Sequence, residues 1–154
     1  MKSKYSEADA AAMIAQFSDA GEDVALRVYT SQLIGSDSTL VMHGGGNTSV
    51  KSSFTNVLGE NIPALFVKGS GWNLDTIAPA GLPGLDLEYL KTLRPLAALD
   101  DKEMVNQLRT HLLDATSPNP SVETLLHAFL PHKFVDHSHA DAILAITNRP
   151  DGEA

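Results

Sequence analysis

The sequence predicts a mixed α/β fold layered around one central sheet. Three observations carry the prediction. Strand-like and helix-like segments are interleaved without the regular βαβ repeat of a parallel sheet. Clusters of Gly, Pro, Asn and Ser break the chain between them. With 154 residues, 43% of them hydrophobic, the chain fits one domain, residues 1–154, with a core of useful size.

The elements follow in order. Ser6 is a candidate N-cap for an Ala-rich helix reaching about Ala20, with Asp9 at capping-box spacing, and Gly21 ends it. A second helix runs from Glu22 to about Leu33, with Val24, Leu26, Val28 and Leu33 as its apolar residues. Gly35-Ser36-Asp37-Ser38 is a turn. Thr39–His43 is β-like and leads into Gly44-Gly45-Gly46-Asn47-Thr48-Ser49-Val50-Lys51, so a hairpin-like pair of short strands joined by the glycines is expected here. Ala64–Lys68 is a further strand, ending in Gly69-Ser70-Gly71, and Gly81-Leu82-Pro83-Gly84 is a break. Short and longer helices are expected from Asp86 to Leu93 and from Asp100 to Leu113, the latter with Asp100 as N-cap and Glu103 at box spacing. A third helix spans Ser121 to Leu130 between the rigid Ser117-Pro118-Asn119-Pro120 turn and Pro131. Phe134–His139 is a strand, followed by a helical run from Ala140.

Composition excludes several classes of function. The net charge of −8 argues against nucleic acid, which needs clustered Lys and Arg to neutralise phosphates. With no cysteine there is no disulfide, thiolate metal ligand or thiol nucleophile. The N-terminal residues lack the apolar core of a secretory signal, and no run approaches the ~20 apolar residues of a membrane span. A cytoplasmic protein is the expectation.

Four short motifs bear on chemistry. The Gly44–Ser49 run offers exposed backbone N–H groups and small polar side chains, suited to an anion, and equally to a plain glycine turn. It has neither Walker A nor dinucleotide-fingerprint spacing. Lys68-Gly69-Ser70-Gly71 repeats that choice: an anion site with added charge, or a turn with a solvated lysine. Ser121-Val122-Glu123 opens a helix, where Ser121 could cap and Glu123 could pair with His127 four residues on. His137-Ser138-His139 places two imidazoles at i and i+2, on one face of a strand, where both can reach one divalent metal. Glu123 would then be a carboxylate base beside that metal. His43, His111, His127 and His132 are weaker ligand candidates, the helical His111 and His127 fitting surface or core roles.

Taken in order, Gly44–Ser49, Lys68–Gly71, Pro120–Glu123 and His137–His139 resemble the class II aldolase/adducin family. Specifically, the chain looks like the aldolase part of bacterial proteins in which such a domain is fused to a short-chain dehydrogenase, proteins associated with rhamnulose-phosphate-type sugar metabolism. The resemblance covers roughly residue 20 onward and implies a three-layer fold with a mixed or antiparallel sheet. It implies that Gly46, Asn47, Ser49, Ser70, Gly71 and Ser121 bind substrate phosphate, that Glu123 is the catalytic acid, and that His137 and His139 are zinc ligands. The activity implied is zinc-dependent cleavage of a ketose 1-phosphate to dihydroxyacetone phosphate and an aldehyde, in a homo-oligomer up to a tetramer. Zinc would spread the enediolate charge while Glu123 shuttles a proton at the carbon next to the carbonyl.

Family members carry a third zinc-binding histidine well downstream, and none follows Ala140 here. The resemblance therefore implies a chain lacking the C-terminal part of the domain. Three other readings stand beside the aldolase: a sugar-phosphate epimerase or dehydratase of the same fold, a non-catalytic adducin-like interaction module, and a metal-free α/β binding domain.

Overall fold

Strand β1 (Asn47–Thr55) is the axis on which the molecule is built, and its alternation assigns the layers. The computed structural model describes residues 3–152. Even-numbered side chains of β1 face one helical layer. Thr48 Oγ1 meets Ser31 Oγ at 2.7 Å, Val50 is fully buried, and Ser52 Oγ donates to Asp23 at 2.7 Å. Odd-numbered side chains face the opposite layer. Ser49 Oγ lies 2.7 Å from His127 Nδ1, and Lys51 Nζ donates to the carbonyls of His127, Leu130 and His132. This is the period-2 geometry of a strand buried on both faces.

Within the described residues, β1 pairs with β2 (Asn61–Val67) and β4 (Phe134–His137), and β2 pairs with β3 (Gly84–Asp86). The four-stranded sheet is antiparallel throughout, in the order β3-β2-β1-β4. On one face lie α1 (Glu7–Gln16) and α2 (Glu22–Gly35). There Val24 and Val28 of α2 pack with Val50, Val41, Leu74, Ile77 and Leu82. On the other face lie α3 (Leu87–Thr92), α4 (Asp101–Thr110) and α5 (Thr124–Phe129). Leu65, Val67 and Leu85 of the sheet meet Leu87, Leu90, Leu108 and Ala128 there. Burying each of the leucines at 0% exposure, Leu65, Leu85 and Leu90, stabilises the fold by roughly 1.5–3 kcal/mol. A last helix, α6 (Asp141–Thr147), follows β4.

The expected helix starts at Ser6, Asp86 and Asp100 hold. Ser6 accepts from Asp9 N, Asp86 from Tyr89 N and Asp100 from Glu103 N. The third helix begins later than expected, at Thr124, because Ser121 closes a tight turn first. Its carbonyl accepts from both Thr124 N (3.1 Å) and Thr124 Oγ1 (2.5 Å). The helix from Asp100 stops at Thr110 rather than Leu113. Beyond it the chain bonds to β3, with Leu113 N on Gly84 O and Asp86 N on His111 O.

The hairpin expected around the glycines is corrected. Thr39–His43 is not a strand. Asp37 captures Thr39 N and Oγ1 with its carboxylate and Leu40 N and Val41 N with its carbonyl, which winds the segment into turns. His43 (φ 43°) and Gly44 (φ 79°) then take positive φ, which a strand does not allow. The hairpin lies instead between β1 and β2. Its turn is closed by Asn56, whose side chain accepts from Leu58 N and Glu60 N at 2.9 Å each.

Candidate functional site

Strand register brings the site together from distant parts of the sequence. His137 is the cross-strand partner of Asn47, so both side chains fall on the α5 side of the sheet. At the other edge of β1, Lys68 N donates to Thr48 O at 3.0 Å. The Lys68–Ser70 segment is in turn bridged to Asn119–Ser121. Ser70 N donates to Asn119 O at 2.8 Å, Ser121 N donates to Lys68 O at 3.1 Å, and Gly69 pairs with Pro120. Three of the motifs are thus adjacent backbone segments, and β4 supplies the fourth.

Glu123 sits at their junction, partly exposed. Its Oε2 accepts from Asn47 Nδ2 and from Ser121 Oγ, the latter at 3.2 Å. Asn47 Nδ2 also reaches Ser121 Oγ at 3.1 Å, and Ser121 Oγ accepts from Glu123 N at 3.3 Å. Its Oε1 lies 3.3 Å from His137 Nδ1. One carboxylate oxygen is therefore held by an amide and a hydroxyl while the other faces an imidazole.

His137 and His139 converge, but not by strand alternation. β4 ends at His137, and His139 is carried past it by a backbone bond from its N to Leu40 O at 2.8 Å. The rings meet edge to face with centroids 4.9 Å apart. Among the described residues His137 Nδ1, which is buried, finds no hydrogen bond of good geometry, despite the nearby carboxylate. The glycines make room for this approach. A Cβ on Gly46 (φ 65°) would stand 2.6 Å from His137 O, and one on Gly45 would stand 3.1 Å from His139 Nδ1. Among the described residues, no group of three or more His, Asp or Glu side chains is placed to hold a metal ion.

Asn47 and Ser121 are buried in the site, and Gly46 forms its backbone wall. Ser49 is also on the site's face of β1 but has no exposed surface, and its hydroxyl is spent on His127. Ser70 and Gly71 are exposed on the adjoining loop, with no side-chain bond from Ser70 to the acid. A cavity of 320 Å³ opens against Gly44 and Gly45, with His43, Asn73 and Leu74 also lining it, yet neither Glu123 nor either histidine of the pair does. Glu123 and His137 are partly exposed outside that cavity, and His139 is exposed.

Two residues were undervalued by the sequence. Lys68 is 3% exposed and donates to Gly44 O at 3.0 Å, which ties the two glycine loops together. Burial holds its pKa below the ordinary lysine value, and the Glu123 charge offsets part of that. His127 is fully buried, with Nδ1 on Ser49 and Nε2 on Asn47 Oδ1. Burial pushes its pKa down to about 4, with Glu123 opposing the shift and His137, Lys51 and Arg27 adding to it. A signal existed: Thr124, His127 and Ala128 form an inward i, i+3, i+4 stripe on α5.

Comparison with known proteins matches residues 26–153 to the family described as "Class II Aldolase and Adducin N-terminal domain". The chain is 45% identical over 126 residues to "Uncharacterized oxidoreductase YuxG" of Bacillus subtilis (strain 168), a match covering 82% of this chain and 18% of that protein. It is also similar to the solved N-terminal class II aldolase domain of a conserved protein from Thermoplasma acidophilum. That match has a TM-score of 0.84 and 43% identity, and it covers 97% of this chain and 65% of the other. The chain thus spans less than a fifth of the curated relative and about two-thirds of the solved one.

Proposed function

Because the chain belongs to the class II aldolase and adducin family, we propose that it serves metal-dependent aldol cleavage and condensation of a ketose 1-phosphate. The products would be dihydroxyacetone phosphate and an aldehyde, the sugar being of rhamnulose or fuculose type. The observation that carries this reading is the Glu123 carboxylate, held on one oxygen by Asn47 and Ser121 and open toward His137 on the other.

His137 and His139 would hold the metal. The buried, unbonded Nδ1 of His137 is what a ligand nitrogen looks like before its metal is added, and neutral imidazole suits zinc. A catalytic zinc usually takes three protein ligands, so the third would come from polypeptide outside residues 3–152. When bound, the ion supplies Lewis-acid stabilisation to the hydroxyketone oxygens.

The chain's own residues do the rest. Glu123 moves the proton at the carbon beside the carbonyl. The backbone of Gly46 and the side chains of Asn47, Ser70 and Ser121, with Gly71 beside them, receive the phosphate and orient the reacting end. Lys68, buried at the base of the loops, adds positive charge to that region. Ser49 acts behind the substrate, through His127, rather than on it. A homo-oligomer, up to a tetramer, is part of the same reading. No helix among the described residues is long and apolar enough to cross a membrane.

The test is to measure zinc content and chelator-sensitive cleavage of rhamnulose 1-phosphate and fuculose 1-phosphate by the full-length protein carrying this chain. Aldehyde and dihydroxyacetone phosphate appearing only with zinc bound is the expected result. A zinc-loaded protein that epimerises or dehydrates these sugars, or leaves them untouched, overturns it.

A further inference from the structure

We propose that His127 is a positioning residue that fixes which end of the Asn47 amide faces the site, and through it the orientation of the Glu123 carboxylate. Its link to activity rests on the aldolase reading above; the positioning itself does not.

The argument is one of donors and acceptors. The Glu123 carboxylate oxygen offers only lone pairs, so the Asn47 atom against it is the NH₂ nitrogen. Asn47 Oδ1 must then face His127 Nε2, which has to carry a hydrogen to bond it. Burial keeps the His127 ring neutral near pH 7, so Nδ1 carries none and accepts from the Ser49 hydroxyl. Four side chains therefore form one directed chain: Ser49 O–H to His127 Nδ1, His127 Nε2–H to Asn47 Oδ1, and Asn47 Nδ2–H to Glu123 Oε2. Each link permits a single direction, and the ring is the only member with two distinct nitrogens to hand the polarity on.

The surroundings suit His127 to this task. It has no exposed surface, so it cannot meet substrate. Its backbone carbonyl is taken by Lys51 Nζ at 2.9 Å, which pins α5 against β1 and holds the ring in place. Reversing the Asn47 amide would set a carbonyl oxygen against the carboxylate and an NH₂ against a ring N–H. Both contacts are repulsive, and the one to His127 would be fully buried. The same orientation lets Nδ2 donate to Ser121 Oγ as well, at 3.1 Å, so both amide hydrogens are spent on the acid's own surroundings.

The first measurement needs no variant. Ring ¹⁵N spectra of histidine-labelled protein at pH 7 should show His127 protonated at Nε2 and bare at Nδ1; the opposite tautomer, or an imidazolium, overturns the proposal. The second compares His127→Gln, which retains an N–H toward Asn47, with His127→Phe, which does not. With zinc content unchanged, kcat for the ketose 1-phosphate should fall on the order of 10- to 100-fold in the Phe variant with KM less affected, and largely recover in the Gln variant. Equal losses in both, or a lowered melting temperature with kcat intact, overturn it. If the Phe variant does not fold, Ser49→Ala tests the same chain and should lower kcat in the same sense. Should the wild type cleave no ketose phosphate, the aldolase reading fails, while the tautomer still decides the positioning role.

Discussion

The two sides of the site differ in how completely they are made. On the acid side, Glu123 Oε2, Asn47, Ser121, His127 and Ser49 form an unbroken set of hydrogen bonds, anchored in β1 and α5 and largely buried. On the imidazole side, His137 Nδ1 lacks a hydrogen bond, His139 is exposed, and the loop beneath them depends on glycines with positive φ. The acid side is fixed before any ligand arrives. The imidazole side has donor atoms in place, and His137 Nδ1 finds no hydrogen-bond partner among the described residues. A polar network that is fully satisfied holds one arrangement, whereas an orphaned buried nitrogen is a cost that a metal would relieve.

The largest effect that would break this comparison is expected at the acid. Glu123→Gln keeps the shape and removes the proposed base, so kcat for ketose 1-phosphate cleavage should drop about 10²- to 10⁴-fold with zinc retained, as judged by metal analysis. If zinc were lost as well, Glu123 would belong to the imidazole side. Next comes His137→Ala, which should weaken zinc binding by more than the about 10- to 100-fold typical of residues that only support a ligand. Titration with a competing chelator reads this directly, and unchanged affinity would separate the histidine pair from the metal.

The acid side also carries a pH signature. His127 has a folded pKa near 4 against an ordinary value of 6.5, so between those values the unfolded chain binds more protons than the folded one. Stability therefore rises with pH across this window. It is fully present above about pH 6.5 and is lost on acidification toward pH 4. At pH 4.5 the loss from this group should be on the order of 2 kcal/mol. Urea melts at pH 7 and pH 4.5 should show that component in the wild type and not in His127→Gln. The same acid loss in both proteins would place its origin elsewhere.

The same division explains what could be read from the sequence. Motif order was legible because each motif is a contiguous run: Gly44–Ser49, Lys68–Gly71, Pro120–Glu123 and His137–His139. Helix starts were legible because capping is local, as at Ser6, Asp86 and Asp100. Register was not. Nothing in the residues themselves says that His137 stands opposite Asn47, and that pairing is what assembles the site. Thr39–His43 looked like a strand because Leu40, Val41 and Met42 are apolar, but the capture of four donors by Asp37 outweighs that preference. His127 was hidden for a similar reason. Its i, i+4 spacing from Glu123 suggested a surface pair, whereas the inward stripe on α5 turns the ring under the sheet, onto Ser49 and Asn47.

The smallest expected effect sharpens the comparison on the imidazole side. Ser138 stands between the two histidines, is exposed, and makes no side-chain hydrogen bond among those found in the described residues. If His137 and His139 alone turn toward the metal, Ser138→Ala should leave zinc affinity unchanged and alter stability by less than about 0.5 kcal/mol. The backbone supports this expectation. His139 is placed by its own N–H on Leu40 O and Asp141 by its N–H on Thr39 O, so the link between the histidines is set by main-chain bonds that a serine-to-alanine change does not touch. A marked loss of zinc in Ser138→Ala, measured by the same chelator competition, would mean that the hydroxyl supports the ligands and that the imidazole side is organised by side chains as the acid side is.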